Sequence, residues 1–187
     1  VTPPLAQNLA ATRFGNAPAA AGFTYNATSG VYTVTAGGTS VPSSGTADQF
    51  LFASQPVSGD ATVIARVVSI ATGGSATSDN RTGVMIRESL TDGGSRHAFM
   101  GITKTPATRF ITRATPAAAS TSNDGSSGFP CWVRLVRSGN TFTGSTAPDV
   151  SGTPGAWTQI GTRTVTMASN VHLGIASASG SSRGNTT

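Results

Sequence analysis

Short runs in which apolar and polar residues alternate recur along almost the whole chain, with turn residues between them. Alternation with a period of two places successive side chains on opposite faces of a strand. Roughly ten or eleven short strands joined by turns are typical of a β-sandwich or a closed barrel. Eleven segments are predicted as strands: 23–25, 31–34, 49–53, 62–70, 83–88, 97–103, 109–114, 132–137, 141–145, 158–167 and 171–177. The stretch near 12–14 is a further candidate within the N-terminal lead-in.

The composition excludes the helical alternatives. Charged residues make up 10% of the 187 residues, against about 25% in an average domain. Glu88 is the only glutamate, and residues that favour helices are scarce while Thr, Val and Ile are plentiful. A helical bundle, a coiled coil or a doubly wound α/β domain is therefore excluded. The sequence predicts an all-β fold, and it contains no run of about 18 apolar residues that would predict a transmembrane helix.

Two irregular stretches, 73–81 and 117–128, are rich in Ser, Thr, Asn and Gly. Each is predicted as a loop at the rim of the sheets, where binding residues often lie. A mobile polar connector without a function is the alternative for both.

The chain is basic, with a net charge of +5 and a pI near 10.7. Eleven arginines and Lys104 carry the positive charge, and they are spread singly rather than in a basic run. A nucleic-acid partner is therefore unlikely, whereas an anionic polysaccharide or a plain solvated surface fits this pattern. The lone Cys131 excludes an internal disulfide and predicts a buried, inert thiol.

No arrangement of residues in the sequence points to catalysis. Glycosidases need two carboxylates, and no two of the seven acids have the spacing that would place them side by side on one strand. Glu88 is predicted to pair with Arg87 or Arg96. The sequence contains no G-x-S-x-G motif, no phosphate-binding loop and no cluster of zinc ligands. A non-enzymatic protein is expected.

Calcium is a candidate cofactor, because loops of β-sandwiches bind it with carboxylate and carbonyl oxygens. Four aspartates in loops or at strand edges are the candidate ligands: Asp48, Asp60, Asp79 and Asp124. They would have to converge from separate loops. The alternative for each is an ordinary role in a turn.

Arginines and tryptophans in the predicted strands are the candidate ligand-binding residues. Arg66, Arg87 and Arg134 each lie in mid-strand among apolar residues. They predict either an arginine-lined groove or outward side chains with packed stems and solvated ends, and the second interpretation is favoured. Trp132 and Trp157 would either stack on a sugar or pack in the core, and core packing is favoured for each. The weakly favoured site combines four residues: Trp132, Arg134, Arg87 and Trp157.

Several strings of residues carry a resemblance to a known family. They are DQF (48–50), QPVSGD (55–60), ARV (65–67), GVMIRESL (83–90), SRH (95–97), WVRLVRSGNTF (132–142) and WTQIG (157–161). The series, over 48–178, resembles the concanavalin A-like, laminin-G-like accessory domains of secreted bacterial proteins, often found beside glycoside hydrolases or polysaccharide lyases. The resemblance implies a jelly-roll sandwich of two antiparallel sheets and a role in carbohydrate binding, without catalytic residues.

The chain departs from that family pattern at two places. The family's short Tyr-containing turn is replaced by residues 145–148 and a longer Gly/Pro loop, so a sugar-stacking aromatic is absent there. The family's closing strand, which carries a string similar to FDNV, does not follow 183–187. Either that strand lies outside this chain or the sheet has an open edge, which would be a site of association.

These observations predict an extended N-terminal lead-in over 1–22 and one sandwich domain over 23–187. The leading hypothesis is a non-catalytic, lectin-like domain of an exported bacterial protein that binds a polysaccharide or glycan outside the cell. The alternative is a structural subunit of a cell-surface layer, adhesin or filament that self-associates through sheet edges.

Overall fold

The computed structural model describes residues 9–42, 44–71 and 80–180. The regular elements of these residues are all β-strands. Among the described residues, no helix has the length and apolar character needed to cross a membrane. The strands are β1 Ala10–Arg13, β2 Gly22–Asn26, β3 Val31–Thr35, β4 Leu51–Ser58, β5 Ala61–Val67, β6 Asn80–Arg87, β7 His97–Thr103, β8 Ala107–Arg113, β9 Thr121–Ser126, β10 Cys131–Ser138, β11 Thr141–Val150, β12 Thr153–Pro154, β13 Thr158–Thr164 and β14 Asn170–Ser179.

The larger sheet has seven strands in the order β1-β4-β14-β6-β7-β8-β9. Every neighbouring pair in it is antiparallel. The last strand, β14, is hydrogen-bonded on both sides, by β4 and by β6. The edges of this sheet among the described strands are therefore β1 and β9, not β14.

The smaller sheet is built around β10 and β11. β10 pairs with β5 on one side and with β11 on the other. The far side of β11 pairs first with β13 and then, at its end, with the short β12. A separate hairpin of β2 and β3 pairs Tyr25 with Tyr32.

The two sheets pack face to face around a shared core. Apolar residues from β5, β6, β7, β8, β10, β11 and β14 all contribute to it. Phe110 of β8 is buried there, and a Cβ added at Gly144 or Gly161 would lie 2.5 or 2.7 Å from its ring. Glycine at these two positions lets the smaller sheet approach β8 closely.

The opposite face of the larger sheet is also covered. Phe52, Met85 and Phe99 from the strands join Phe14 and Phe50 in a second apolar cluster. Residues before and after the β2–β3 hairpin therefore form a lid over this face. Because both faces are covered, strands β6 and β7 are buried almost throughout.

The structure confirms the all-β, antiparallel prediction. Five phenylalanines in or beside the strands are at most 1% exposed: Phe50, Phe52, Phe99, Phe110 and Phe142. The prediction of an irregular loop over 117–128 is wrong, because Thr121–Ser126 pairs with β8. Of the other predicted loop, 73–81, residues 73–79 lie outside the described residues, and Asn80 and Arg81 begin β6.

Part of the predicted N-terminal lead-in belongs to the folded body. Ala10–Arg13 pairs with β4 at the edge of the larger sheet. Phe14, which follows, is 5% exposed and packs in the second cluster. Residues 1–8 lie outside the described residues.

Candidate functional site

The outward side of the smaller sheet carries most of the predicted ligand-binding residues. Val133 and Leu135 of β10 point into the shared core, so the alternate residues Trp132 and Arg134 point outward. Residues opposite one another in the antiparallel pairs share a face. We call this surface the outer face, formed by Ile64, Arg66, Trp132, Arg134, Asp149, Trp157 and Gln159.

At one end of the outer face, Asp149 of β11 binds side chains of both β5 and β10. Arg66 donates to its two carboxylate oxygens at 2.7 and 2.9 Å, and the Trp132 indole Nε1 donates to Oδ1 at 2.8 Å. The hydrogen bonds from Arg66 are the largest cause that lowers the pKa of Asp149 to about 2. This network occupies the polar atom of Trp132, so Trp132 acts as a brace between β10 and β11.

Beside this brace, an arginine stacks on the second tryptophan. The Arg134 Cζ lies 4.2 Å from the centre of the Trp157 ring, within the range of a cation–π contact. Both side chains are partly exposed. Neither tryptophan belongs to the two apolar clusters of the described residues, so the favoured expectation that both pack in the core is wrong.

Polar and apolar groups flank the stack. Arg134 lies opposite Ser145, which lies opposite the exposed Gln159, so the three form one row across the strands. On its other side, Arg134 lies opposite Ile64, which is 45% exposed. The outer face thus offers an indole ring, a guanidinium, an amide and an aliphatic side chain on the outward side of the smaller sheet.

Arg87 does not belong to this face, which corrects the predicted grouping with Trp132 and Arg134. Its partner in the sheet, His97, lies on the second face of the larger sheet, and the shared core separates that face from the outer face. Arg87 is fully buried. The expectation of a solvated end is therefore wrong for Arg87, whereas 35% of the Arg66 side chain is exposed.

Arg87 is instead one of two cations around a buried carboxylate. Arg87 and Arg113 each donate through Nη1 to Asp48, at 2.6 and 2.7 Å, and all three side chains are inaccessible to solvent. Further donors of the two arginines reach the carbonyl oxygens of Ser89 and Ala118 at 2.7 and 3.0 Å. We call these residues the Asp48 cluster, and it ties three loops to the larger sheet.

His97 lies between the two arginines of the Asp48 cluster. The register of β6, β7 and β8 places Arg87, His97 and Arg113 in one row. Burial, and then the charges of Arg113 and Arg87, hold the pKa of His97 well below its usual value. His97 is therefore neutral at pH 7, and its Nδ1 lies 3.2 Å from the Ser95 carbonyl oxygen.

Three of the four predicted calcium ligands are held by separate partners instead of converging. Asp48 is held by two arginines, Asp60 accepts the Gly139 N–H at 2.6 Å, and Asp124 pairs with Arg109 at 3.0 Å. No group of three or more His, Cys, Asp or Glu side chains within 9–42, 44–71 and 80–180 could hold a metal ion. Asp79, the fourth predicted ligand, lies outside the described residues.

Two smaller expectations are confirmed. Glu88 pairs with Arg96 at 2.9 Å, one of its two predicted partners. Cys131 is fully buried, and this burial raises the pKa of its thiol to about 11, so the thiol is unreactive at neutral pH.

Sequence reasoning missed Asp149, Gln159 and Arg113 as members of these sites. Asp149 lies 83 residues from Arg66, and no local pattern connects them. Arg113 carried a weak signal, because it closely follows Phe110 and Ile111, as Arg87 follows Met85 and Ile86. Gln159 carried one as well, because a period of two places it on the same side as Trp157.

Comparisons with known proteins extend the description of the fold. No protein-family model matches the chain, and no curated protein matches it. A solved structure does: the crystal structure of a functionally unknown protein from Saccharomyces cerevisiae. It has a TM-score of 0.62 at 13% identity, over 94% of this chain and 90% of that chain. This likeness concerns the fold alone.

Proposed function

We propose that this chain is a non-catalytic carbohydrate-binding domain of an exported bacterial protein, and that Arg134, Trp157 and Gln159 of the outer face form its binding site. The observation that carries the proposal is the Trp157 ring of the outer face, which is partly exposed and stacked against Arg134. The proposal includes the finer fold assignment, a jelly roll of the concanavalin A-like kind, which rests on the resemblance of the sequence strings.

The groups of the outer face suit a sugar chain. The C–H face of a pyranose packs against an aromatic ring, while amide and guanidinium groups bind its hydroxyl groups. Trp157, Gln159 and Arg134 supply these groups within one region of the surface.

The proposal predicts that Trp157→Ala abolishes most of the binding. Aromatic residues at the centre of a contact often contribute 2 kcal/mol or more, so we expect a loss of at least about tenfold in affinity. Affinity electrophoresis through gels that contain galactomannan or polygalacturonate measures it. Circular dichroism of the variant verifies that the fold is retained.

Trp132→Phe is the matched control. It removes an indole that the structure uses as a brace, and retardation should stay within about twofold of the parent protein. The proposal is wrong if neither polysaccharide retards the parent protein, or if Trp157→Ala migrates as the parent does.

Assembly through a sheet edge is the second candidate function. β5 is an edge strand among the described strands of the smaller sheet, and Ile64 and Val68 on or beside it are 45% and 51% exposed. Exposed apolar side chains on an edge strand favour pairing with another chain. Light scattering of the same preparation separates the two functions, because the first leaves the protein monomeric without glycan and the second gives oligomers that grow with concentration.

A further inference from the structure

Arg134 differs from the other arginines of the described chain. Ten of the eleven arginines lie in described residues, and nine of these donate hydrogen bonds. Their acceptors are carboxylates for Arg66, Arg87, Arg96, Arg109 and Arg113, and backbone carbonyl oxygens for Arg13, Arg81, Arg137 and Arg163. Within the described residues, Arg134 alone donates none, and its Nε is buried without an acceptor.

The charge of Arg134 is also uncompensated on the outer face. The negative charge of Asp149 is cancelled by Arg66, which binds both of its oxygens. Arg134 forms no ion pair with a described residue, and its Cζ is held 4.2 Å from the centre of the Trp157 ring. A guanidinium stacked in this way keeps its N–H donors for an acceptor beside the ring.

We infer that the outer face takes an acidic polysaccharide, and that Arg134 binds the carboxylate of a uronic acid residue stacked near Trp157. The inference rests on the proposed function and names its ligand class. A planar carboxylate accepts two parallel N–H bonds from a guanidinium, a geometry that a neutral hydroxyl cannot provide. The net charge of +5 adds long-range attraction toward a polyanion.

Affinity electrophoresis with three polymers tests the inference: polygalacturonate, the neutral polymer dextran, and dextran sulfate. The parent protein should be retarded most by polygalacturonate. Arg134→Gln should weaken that retardation at least about tenfold, because the charge-assisted hydrogen bonds are lost. Arg134→Lys should recover only a small part, since an ammonium keeps the charge but lacks the planar pair of donors.

Arg163→Gln is the control for unspecific charge. Arg163 is exposed and donates to the Thr162 carbonyl oxygen at 3.0 Å. Because each variant removes one arginine, Arg163→Gln has the same net charge as Arg134→Gln. Retardation of Arg163→Gln by polygalacturonate should stay within about twofold of the parent protein, because a charge outside the Arg134–Trp157 stack alters only the screened electrostatic attraction.

Four outcomes overturn the inference: the first three leave carbohydrate binding in place, and the fourth removes the proposed function as well. Equal losses in Arg134→Gln and Arg163→Gln would mean that charge alone drives binding. Retardation by dextran sulfate alone would mean that the outer face recognises a sulfate group and not a carboxylate. Retardation by dextran that Arg134→Gln leaves unchanged would contradict the uronate but keep the carbohydrate-binding function. Migration unaffected by any polysaccharide, galactomannan included, would remove both.

Discussion

Replacing Asp48 by Asn should lower the free energy of unfolding by about 3–5 kcal/mol, the usual cost of removing one partner from a buried ion pair. The substitution keeps the shape of the side chain but leaves Arg87 and Arg113 buried without their common counter-ion. The loops that contain Ser89 and Ala118 would lose part of their attachment to the larger sheet. Urea denaturation followed by tryptophan fluorescence measures the change.

Asp124→Asn is the matched control for that experiment. Asp124 also pairs with an arginine, Arg109, but its side chain is 51% exposed, and an exposed ion pair contributes about 0–1 kcal/mol. A loss below about 1 kcal/mol in Asp48→Asn, similar to that of the control, would contradict the role given to the Asp48 cluster.

Acidification below neutral pH should destabilise the protein through His97. In the unfolded chain a histidine has a pKa of about 6.5, while burial and two arginines hold the pKa of His97 far lower in the folded state. As the pH falls below about 6.5, His97 binds a proton in the unfolded state but not in the folded state. The free energy of unfolding therefore decreases by about 1.4 kcal/mol per pH unit. Stability is therefore retained above that pH and lost as the pH falls toward the folded-state pKa.

Denaturation of His97→Asn at about pH 7.5 and about pH 5 isolates this contribution. Asn keeps a donor for the Ser95 carbonyl oxygen but cannot titrate. The parent protein should lose about 1–2 kcal/mol more than the variant between the two pH values. Other groups titrate in both proteins, among them His172, whose pKa burial and Arg87 also lower, so their contributions largely cancel. Equal losses in the two proteins would show that His97 does not titrate as described.

Alternation predicted most strands, because each central strand has a side toward the shared core. It failed at β9, where Thr121–Ser126 has no apolar residue. This segment is a strand because β8 offers it hydrogen-bond partners, which is a tertiary effect that a local pattern does not contain. The order of strands, with β14 between β4 and β6, was equally hidden, because pairing joins residues that are far apart in the sequence.

The candidate site was predicted in part for a similar reason. The alternation of β10 correctly placed Trp132 and Arg134 on one face, away from Val133 and Leu135. The prediction grouped Arg87 with them because a cation in mid-strand suggests an accessible side. The lid over the larger sheet, which includes Phe14, buries the side of the sheet that carries Arg87. Only the folded chain reveals that this side is covered.

If Trp157 binds the ligand and Trp132 serves as a brace, the indole N–H resonances of the two residues should respond differently to a glycan. The chain has two tryptophans, so a ¹⁵N spectrum contains two indole signals, which Trp157→Phe assigns. On titration with oligosaccharides of galacturonate and of glucose, we expect the Trp157 signal to shift with at least the galacturonate series. The Trp132 signal should stay in place, because its indole N–H donates to Asp149 at 2.8 Å. A shift of Trp132 without Trp157, or no shift of either signal with any oligosaccharide, would contradict this expectation.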